Sequence, residues 1–154
     1  MVIGIVSDTH ALLRPEVLER LAGVEHILHL GDVGAASVLE ELGRIAPVTA
    51  VRGNTDREGP CGELPEFEVA LLDHQYFYML HNLQQLHLDP AAAKFACVLS
   101  GHTHQPEFHR HRGVLYLNPG SCGPRRSNLP ISMAKLTIGK DGLLEPELIT
   151  LSVN

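Results

Sequence analysis

The chain has 154 residues, of which 44% are hydrophobic and 19% charged, and its formal net charge is −6 at pH 7. This size suits one compact domain over residues 1–154, able to bury about two-thirds of its unfolded surface. The negative charge argues against a stable complex with nucleic acid, because a phosphate backbone calls for a basic protein face.

The sequence gives no sign of export or membrane insertion. No apolar run approaches the roughly 20 residues of a membrane span, and no basic region precedes an apolar segment at the N-terminus. Cys61, Cys97 and Cys122 cannot all pair with one another, and their spacing does not match a zinc ribbon. We therefore expect a cytoplasmic protein with reduced thiols and no membrane partner.

The first part of the chain alternates predicted strands and helices. Apolar runs predict strands at 2–6, 26–30 and 48–51. Between them, one helix is predicted to begin at Arg14-Pro15-Glu16 and to end at Gly23, and a second to end at Gly43. This order predicts parallel strand pairing with right-handed crossovers.

After Pro60-Cys61-Gly62 the pattern changes to strands with few helices. Asp73-His74-Gln75 predicts the turn of a hairpin, Gly139-Lys140-Asp141-Gly142 predicts another, and a short helix is predicted over 90–94. The predicted strands are 67–72, 76–80, 97–99, 107–111, 114–117, 132–138 and 146–151. Together the elements indicate two stacked sheets with helices outside them.

Polar side chains that can bind a metal follow five of these strands. In open α/β sheets ligands sit beyond the carboxyl ends of the strands, so these side chains are expected to meet. After 97–99, Gly101 lets the backbone pass close to a neighbour, and the two-residue period of a strand aims His102 and His104 to one side. The candidates are Asp8, His10, Asp32, Asn54, His81, His102 and His104.

Each candidate also has a purely structural interpretation. Asp8 can cap a helix, Asp32 can occupy a turn, and Asn54 can take a left-handed conformation after a glycine. His81 stands alone, and His74 competes with it from the turn at the opposite end of the same strand. The remaining histidines are interpreted as structural or surface residues: His26, His29, His87, His109 and His111. Seven polar groups at strand ends jointly favour a metal site.

These motifs resemble the calcineurin-like metallophosphoesterase superfamily in order and rough spacing. The resemblance runs from Val2 to about Ser121. It rests on Asp8-Thr9-His10, Gly31-Asp32, Gly53-Asn54-Thr55-Asp56, the isolated His81 and Gly101-His102-Thr103-His104. The short length and Asn118-Pro119-Gly120-Ser121 are similar to the small prokaryotic phosphodiesterase branch. The fold that the resemblance implies is an α/β fold, a four-layer α/β/β/α sandwich.

The resemblance implies two divalent metal ions that share Asp32. Asp8, His10, Asp32 and His104 would hold one ion, and Asp32, Asn54, His81 and His102 the other. Mixed carboxylate, amide and imidazole ligands suit Mn²⁺ first, with Fe, Zn²⁺ or Ni²⁺ as alternatives. The implied reaction is hydrolysis of a small phosphodiester, or of a phosphomonoester, by attack of a metal-bridging hydroxide. Asn118, Ser121 and Arg125 are candidates for lining the substrate site.

Two residues depart from the family pattern. Asn82 stands where the family commonly has glycine, and Thr55 stands where the larger phosphatases have the histidine that protonates the leaving group. Asp56 is interpreted as a group that supports the ligands from behind.

Two other functions stay open. One is a non-catalytic scaffold of the same fold, such as the retromer subunit, in which the metal-site pattern is degraded. The other is a module that binds phosphate without turning it over. A homo-oligomer is also compatible with the sequence.

Overall fold

A computed structural model describes residues 1–153, and within them ten strands form two five-stranded sheets. In chain order the strands are β1 (Val2–Val6), β2 (His26–His29), β3 (Val48–Ala50), β4 (Phe67–Leu72), β5 (Gln75–Leu80), β6 (Cys97–Leu99), β7 (Glu107–His111), β8 (Val114–Asn118), β9 (Ser132–Ile138) and β10 (Leu144–Thr150). Every predicted strand is present, with its bounds within two residues of the prediction.

Both sheets are mixed. The first has the order β10-β9-β1-β2-β3, in which β1, β2 and β3 are parallel and β9 is antiparallel to both of its neighbours. The second has the order β4-β5-β6-β8-β7, in which β5, β6 and β8 are parallel. The parallel pairing predicted from the alternation of strands and helices is confirmed for β1 to β3.

The helices are short. Helix α1 covers Pro15–Arg20, α2 covers Ala36–Gly43 and α3 covers Gly59–Gly62, and a 3₁₀ helix covers Leu83–Gln85. Proline occupies the first turn of α1, where its missing N–H leaves no hydrogen bond unmade. Helix α1 ends three residues before the predicted stop at Gly23. Within residues 1–153 no helix is long and apolar enough to span a bilayer.

The helix predicted over 90–94 is not formed. Those residues make turns instead, in which the Asp89 side chain accepts hydrogen bonds from the N–H groups of Ala91 and Ala92. An aspartate in that position offers the backbone a local alternative to a helix. Helix α3, which sequence patterns did not indicate, is a single turn at Pro60.

Three apolar clusters lie between four layers. The largest fills the space between the two sheets, and a second packs the first sheet against α1, α2 and α3. The third covers the outer face of the second sheet, where the 3₁₀ helix and the turns at 90–94 take the place of a regular helix. The architecture is the four-layer α/β/β/α sandwich, with one outer layer much thinner than the other.

Candidate metal centre

The candidate site lies where the carboxyl ends of the central parallel strands of both sheets meet. The loops after β1 and β2 continue the pairing of their strands, since the Asp8 N–H donates to the Gly31 carbonyl and the His10 N–H to the Asp32 carbonyl. In the second sheet, the Gly101 N–H donates to the His81 carbonyl. The ligand-bearing loops are therefore fixed to one another by backbone hydrogen bonds.

Asp8 is fully buried, and its two carboxylate oxygens have different surroundings. Oδ2 accepts hydrogen bonds from the Ser7 hydroxyl at 2.6 Å and from the His102 N–H at 3.1 Å. Oδ1 has no hydrogen-bond partner among residues 1–153 and lies 3.3 Å from His104 Nε2. One oxygen is thus held by the protein, and the other is free to bind a cation.

The two carboxylate oxygens of Asp32 also have different surroundings. Its Oδ1 accepts a hydrogen bond from the Thr55 N–H at 2.9 Å. Its Oδ2 lies 3.3 Å from His81 Nε2 and 3.7 Å from His10 Nε2. Since His10 and His81 belong to the two different ligand sets inferred from the sequence, Asp32 stands between those sets.

The imidazoles face the two free carboxylate oxygens. His10 Nε2 and His81 Nε2 both lie 3.8 Å from Asp8 Oδ1. The other ring nitrogen of His81, Nδ1, is 2.7 Å from the Leu30 carbonyl oxygen and donates to it, which fixes the tautomer and leaves the Nε2 lone pair directed at the site. Such a carbonyl behind a histidine is the usual partner of a metal-binding imidazole.

Asn54 and His102 complete the set on the solvent side. His102 Nδ1 is 3.1 Å from Asn54 Oδ1, and the His102 ring centroid is 5.1 Å from that of His81. Two donors bound to one ion at about 2.1 Å each stand about 3 Å apart, so this spacing is compatible with a shared ion. The structure therefore brings all seven candidate side chains together, and His74 lies in the β4–β5 turn, as expected.

Five of the seven candidates have left-handed backbone conformations. The φ angles are 57° at Asp8, 45° at His10, 55° at Asp32, 72° at His102 and 63° at His104. Such conformations are uncommon for residues other than glycine and cluster at functional sites. The sequence suggested that strand alternation aims His102 and His104 to one side. Strand β6 ends at Leu99, however, so both side chains reach the site from a loop in which each residue has a positive φ.

The residues fit a metal. Four buried atoms, Asp8 Oδ1, His10 Nε2, His81 Nε2 and His104 Nδ1, lack a hydrogen-bond partner within the described chain. Two groups of potential ligand atoms each fall within 4.8 Å of one another: Asp8, His10 and His104, and Asp8, Asp32 and His81. A buried polar atom without a partner is costly, and a cation at this place would satisfy Asp8 Oδ1, His10 Nε2 and His81 Nε2.

The electrostatics favour positive charge at the site. Burial raises the pKa of both carboxyl groups, but His104 and His81 beside Asp8, and His81 and the Thr55 N–H beside Asp32, more than offset it, so both pKa values are lowered. Burial lowers the pKa of His81, yet Asp32 and Asp8 reverse this and raise it. The two carboxylates thus stay ionised and attract a cation.

The side chains of Asp56 and Asn82 accept hydrogen bonds from backbone N–H groups of the loops around the site. The buried carboxylate of Asp56 accepts hydrogen bonds from the N–H groups of Val33, Gly34 and Gly53, and so ties the loop after β3 to the loop after β2. Asn82 caps the 3₁₀ helix, because its side-chain oxygen accepts a hydrogen bond from the Gln84 N–H. Both residues support the loops that carry the candidate ligands.

Asn118 and Ser121, suggested by the sequence as substrate-lining groups, are buried and hold the loops. Asn118 donates to the Gly101 carbonyl and to the Thr103 hydroxyl, and Ser121 donates to the Asp8 carbonyl. Asn118 also borders a cleft that His102 lines, whereas Ser121 borders neither that cleft nor the one beside His81. The substrate-lining role of both residues stays a prediction. Arg125 is exposed, and it does not line the cleft beside the site.

The sequence analysis missed two residues, Ser7 and His29, that support the candidate metal centre. Ser7 fixes the Asp8 carboxylate, as described above. His29 is fully buried behind the site: it accepts from the Gly31 N–H at Nδ1, so Nε2 carries the proton and donates to Thr9 Oγ1 at 3.0 Å. The Thr9 hydroxyl in turn donates to the Val33 carbonyl. A serine directly before the aspartate and a histidine at an inward strand position are the signals that could have indicated them.

Protonation of His29 should destabilise the fold. Burial, which outweighs the nearby carboxylates, lowers the pKa of His29 to about 4. In the unfolded chain a histidine titrates near pH 6.5, so between about pH 6.5 and 4 only the unfolded chain takes up this proton. The free energy of unfolding should fall through that window as the pH falls, by on the order of 3 kcal/mol.

The measurement is urea denaturation of the metal-free protein at pH values from 7 to 4.5, for the wild type and His29→Gln. The raised pKa of His81 gives a contribution that is constant below about pH 6.5, and the lowered values of Asp8 and Asp32 matter only below about pH 4. His26, whose pKa burial also lowers, adds to the trend in both proteins. Equal pH slopes in the two proteins would contradict this role of His29.

Comparison with known proteins places the chain among phosphoesterases. The family model described as the calcineurin-like phosphoesterase superfamily domain matches residues 1–141. A probable metallophosphoesterase of Methanothermobacter thermautotrophicus is 39% identical over 133 residues, which cover 79% of this chain and 77% of that protein.

Two solved structures are similar over nearly the whole chain. One belongs to a protein described as a novel archaeal phosphodiesterase, with a TM-score of 0.80 and 25% identity over 97% of this chain and 100% of that one. The other is vacuolar protein sorting 29 of Cryptosporidium parvum, with a TM-score of 0.77 and 21% identity over 99% of this chain and 98% of that one. The second likeness concerns the fold alone.

Proposed function

Because this chain belongs to the calcineurin-like phosphoesterase superfamily, we propose that it hydrolyses phosphodiester bonds with two divalent metal ions held by the seven side chains described above. One observation supports this most strongly. Two buried carboxylates each present to the neighbouring imidazoles one oxygen that no protein hydrogen bond holds, and three imidazole nitrogens, one each on His10, His81 and His104, also lack a hydrogen-bond partner within the described residues. A site built only for structure would satisfy such atoms with hydrogen bonds.

Asp8, His10, Asp32 and His104 would hold the first ion, and Asp32, Asn54, His81 and His102 the second, with Mn²⁺ as the first choice. Bound divalent ions supply Lewis acidity and lower the pKa of a coordinated water, so that hydroxide is available near neutral pH. Imidazole and carboxylate ligands without thiolate also suit Fe, Zn²⁺ or Ni²⁺.

The protein's own contribution is to fix the ligands before substrate arrives. Ser7 and the His102 N–H hold one Asp8 oxygen, the Thr55 N–H holds one Asp32 oxygen, and the Leu30 carbonyl fixes His81. Catalysis gains from groups that need not reorganise in the transition state. A cleft of about 440 Å³ opens beside His81 and His102 and gives a small phosphate ester access to the site.

The direct test is release of 4-nitrophenolate from bis(4-nitrophenyl) phosphate by metal-free protein, with and without added Mn²⁺. We expect turnover that requires the metal and that EDTA abolishes. A phosphate-binding module would instead take up inorganic phosphate in the presence of Mn²⁺ and release no product.

Because Thr55 cannot act as a general acid, we predict which esters react fastest. Its N–H is engaged with Asp32, its side chain is exposed, and a hydroxyl of very high pKa cannot protonate a leaving group. The barrier should therefore rise with the basicity of the leaving group, and aryl diesters should react far faster than alkyl ones. The measurement is the slope of log kcat/KM against leaving-group pKa for substituted phenyl diesters. A shallow slope, with chemistry rate-limiting, would show that another residue donates the proton.

A non-catalytic scaffold is the second candidate, and an exposed apolar face is the observation in its favour. On the edge strand β4, Phe67, Val69 and Leu71 are 38%, 45% and 58% exposed and point to the same side of the sheet. Such a face suits contact with another protein. A scaffold does not need unpartnered buried imidazoles and carboxylates, however, so hydrolysis is the function that the geometry favours.

A further inference from the structure

We propose that Arg57 selects the substrate: its guanidinium binds a second anionic group on the phosphodiester, so that esters carrying an additional phosphate are preferred. This inference rests on the proposed hydrolytic function. It names the class of substrate, a diester of nucleotide size with a further phosphate, that the cleft beside the candidate metal centre would accept.

Two arginines line the same cleft as three of the candidate ligands. Arg52 and Arg57 line it together with three of the candidate ligands, Asn54, His81 and His102. Its volume of about 440 Å³ falls within the range of small-molecule sites. A substrate whose phosphodiester lies at the candidate ligands would therefore have two guanidinium groups within the same cleft.

Only one of these arginines is available to a ligand. Arg52 Nη2 lies 2.7 Å from Glu66 Oε1, and its Nη1 donates to the Gly62 carbonyl at 3.0 Å, so its charge is already paired. Arg57 has no carboxylate within 4 Å in the chain up to residue 153. Its neighbour Asp56 is turned away and accepts three backbone N–H groups.

Arg57 is also oriented. Its Nε donates to the Asn54 carbonyl at 3.3 Å, which ties the guanidinium to the residue that borders the candidate metal centre. The two Nη groups have no protein partner within the described residues, and an arginine fork of this kind matches the oxygens of a phosphate in geometry and charge. A second cleft also borders Arg57, but it contains none of the seven candidate ligands.

The negative net charge of the chain makes the positive charge of Arg57 important for substrate selection. With a net charge of −6, the protein has no general attraction for polyanions, so the unpaired Arg57 beside the site discriminates between substrates by local contact. A charge-assisted, bidentate contact with phosphate is expected to change kcat/KM by about tenfold or more.

The test compares two substrates with the same leaving group: the 4-nitrophenyl ester of thymidine 5′-monophosphate, and the same ester bearing a 3′-phosphate. In the Mn²⁺-loaded wild type, the ratio of their kcat/KM values should favour the 3′-phosphorylated ester by about tenfold or more. In Arg57→Ala this ratio should fall towards one, and in Arg57→Lys it should be partly retained. Arg44→Ala, at an exposed arginine outside the cleft, should keep the wild-type ratio.

The outcomes separate this inference from the function on which it rests. A wild type that hydrolyses both esters at equal rates overturns the role of Arg57 and leaves the phosphodiesterase activity in place. Equal losses on both esters in Arg57→Ala would mean that Arg57 contacts the reacting phosphate, which also contradicts the proposal. A wild type that hydrolyses neither ester with Mn²⁺ overturns the proposed function itself.

Discussion

Asp32→Asn should remove most bound metal and most hydrolytic activity while leaving the fold intact. The free oxygen of Asp32 faces both His10 and His81, so loss of its charge should weaken both metal positions together. Because even removal of a group behind a metal ligand costs about 10–100-fold in affinity or activity, we expect at least a hundredfold loss of kcat/KM here. The oxygen of the new amide can still accept the Thr55 N–H, so the loop should keep its place.

The measurements are metal content after equilibration with Mn²⁺, turnover of an aryl diester, and thermal unfolding. His26→Ala is the control, since His26 lies at the other end of β2 and pairs with Thr49. We expect that variant to keep the metal and the activity of the wild type. An Asp32→Asn protein with two ions and full turnover would show that the dinuclear interpretation is wrong.

Gly53→Ala should destroy the site through a steric clash. A Cβ at Gly53 would overlap the backbone N and the Oδ1 of Asp32. The backbone N cannot move without shifting the loop after β2, and Oδ1 cannot move without losing the hydrogen bond from the Thr55 N–H. Overpacking in a rigid environment costs about 1–3 kcal/mol, and here the displaced group is itself a candidate ligand. We therefore expect a lower free energy of unfolding together with loss of metal binding and turnover.

Gly43→Ala is the matched control for this substitution. Gly43 is the last residue of α2, and an added Cβ there meets nothing within 4 Å. Alanine is the better helix former, so this variant should be as stable as the wild type or more stable by about 0.5–1 kcal/mol. If both variants kept full metal content and stability, the close packing of Gly53 on Asp32 would not matter to the site.

Much of the fold could be predicted because apolar runs and turn residues mark strands locally. The strands β1, β6 and β7 have the predicted bounds. Strand β10 was predicted to begin at Pro146, but it begins two residues earlier, at Leu144, so that the proline lies inside the strand. Proline is tolerated there since β10 is an edge strand and has one side without a partner. Edge position depends on sheet order, which a single strand's sequence does not reveal.

The sequence could predict that the candidate ligands meet, because they follow strands whose ends lie together. It could not predict the backbone conformations that direct their side chains into the site. His102 and His104 lie in consecutive turns with positive φ, a conformation set by long-range contacts such as that between the His102 N–H and Asp8. The expected close approach at Gly101 is confirmed, since a Cβ there would overlap the Ser7 hydroxyl. The unpaired charge of Arg57 was also hidden, because only the folded chain pairs Arg52 with Glu66.

The number of metal ions needed for turnover tests the central claim most directly. Metal-free protein can be titrated with Mn²⁺ while hydrolysis of bis(4-nitrophenyl) phosphate is followed, with binding measured in parallel by calorimetry. We predict that binding saturates at two ions per chain and that activity reaches its plateau only with the second. Full activity with one ion, or two ions bound without any turnover, would contradict the proposal that this site is a dinuclear phosphodiesterase centre.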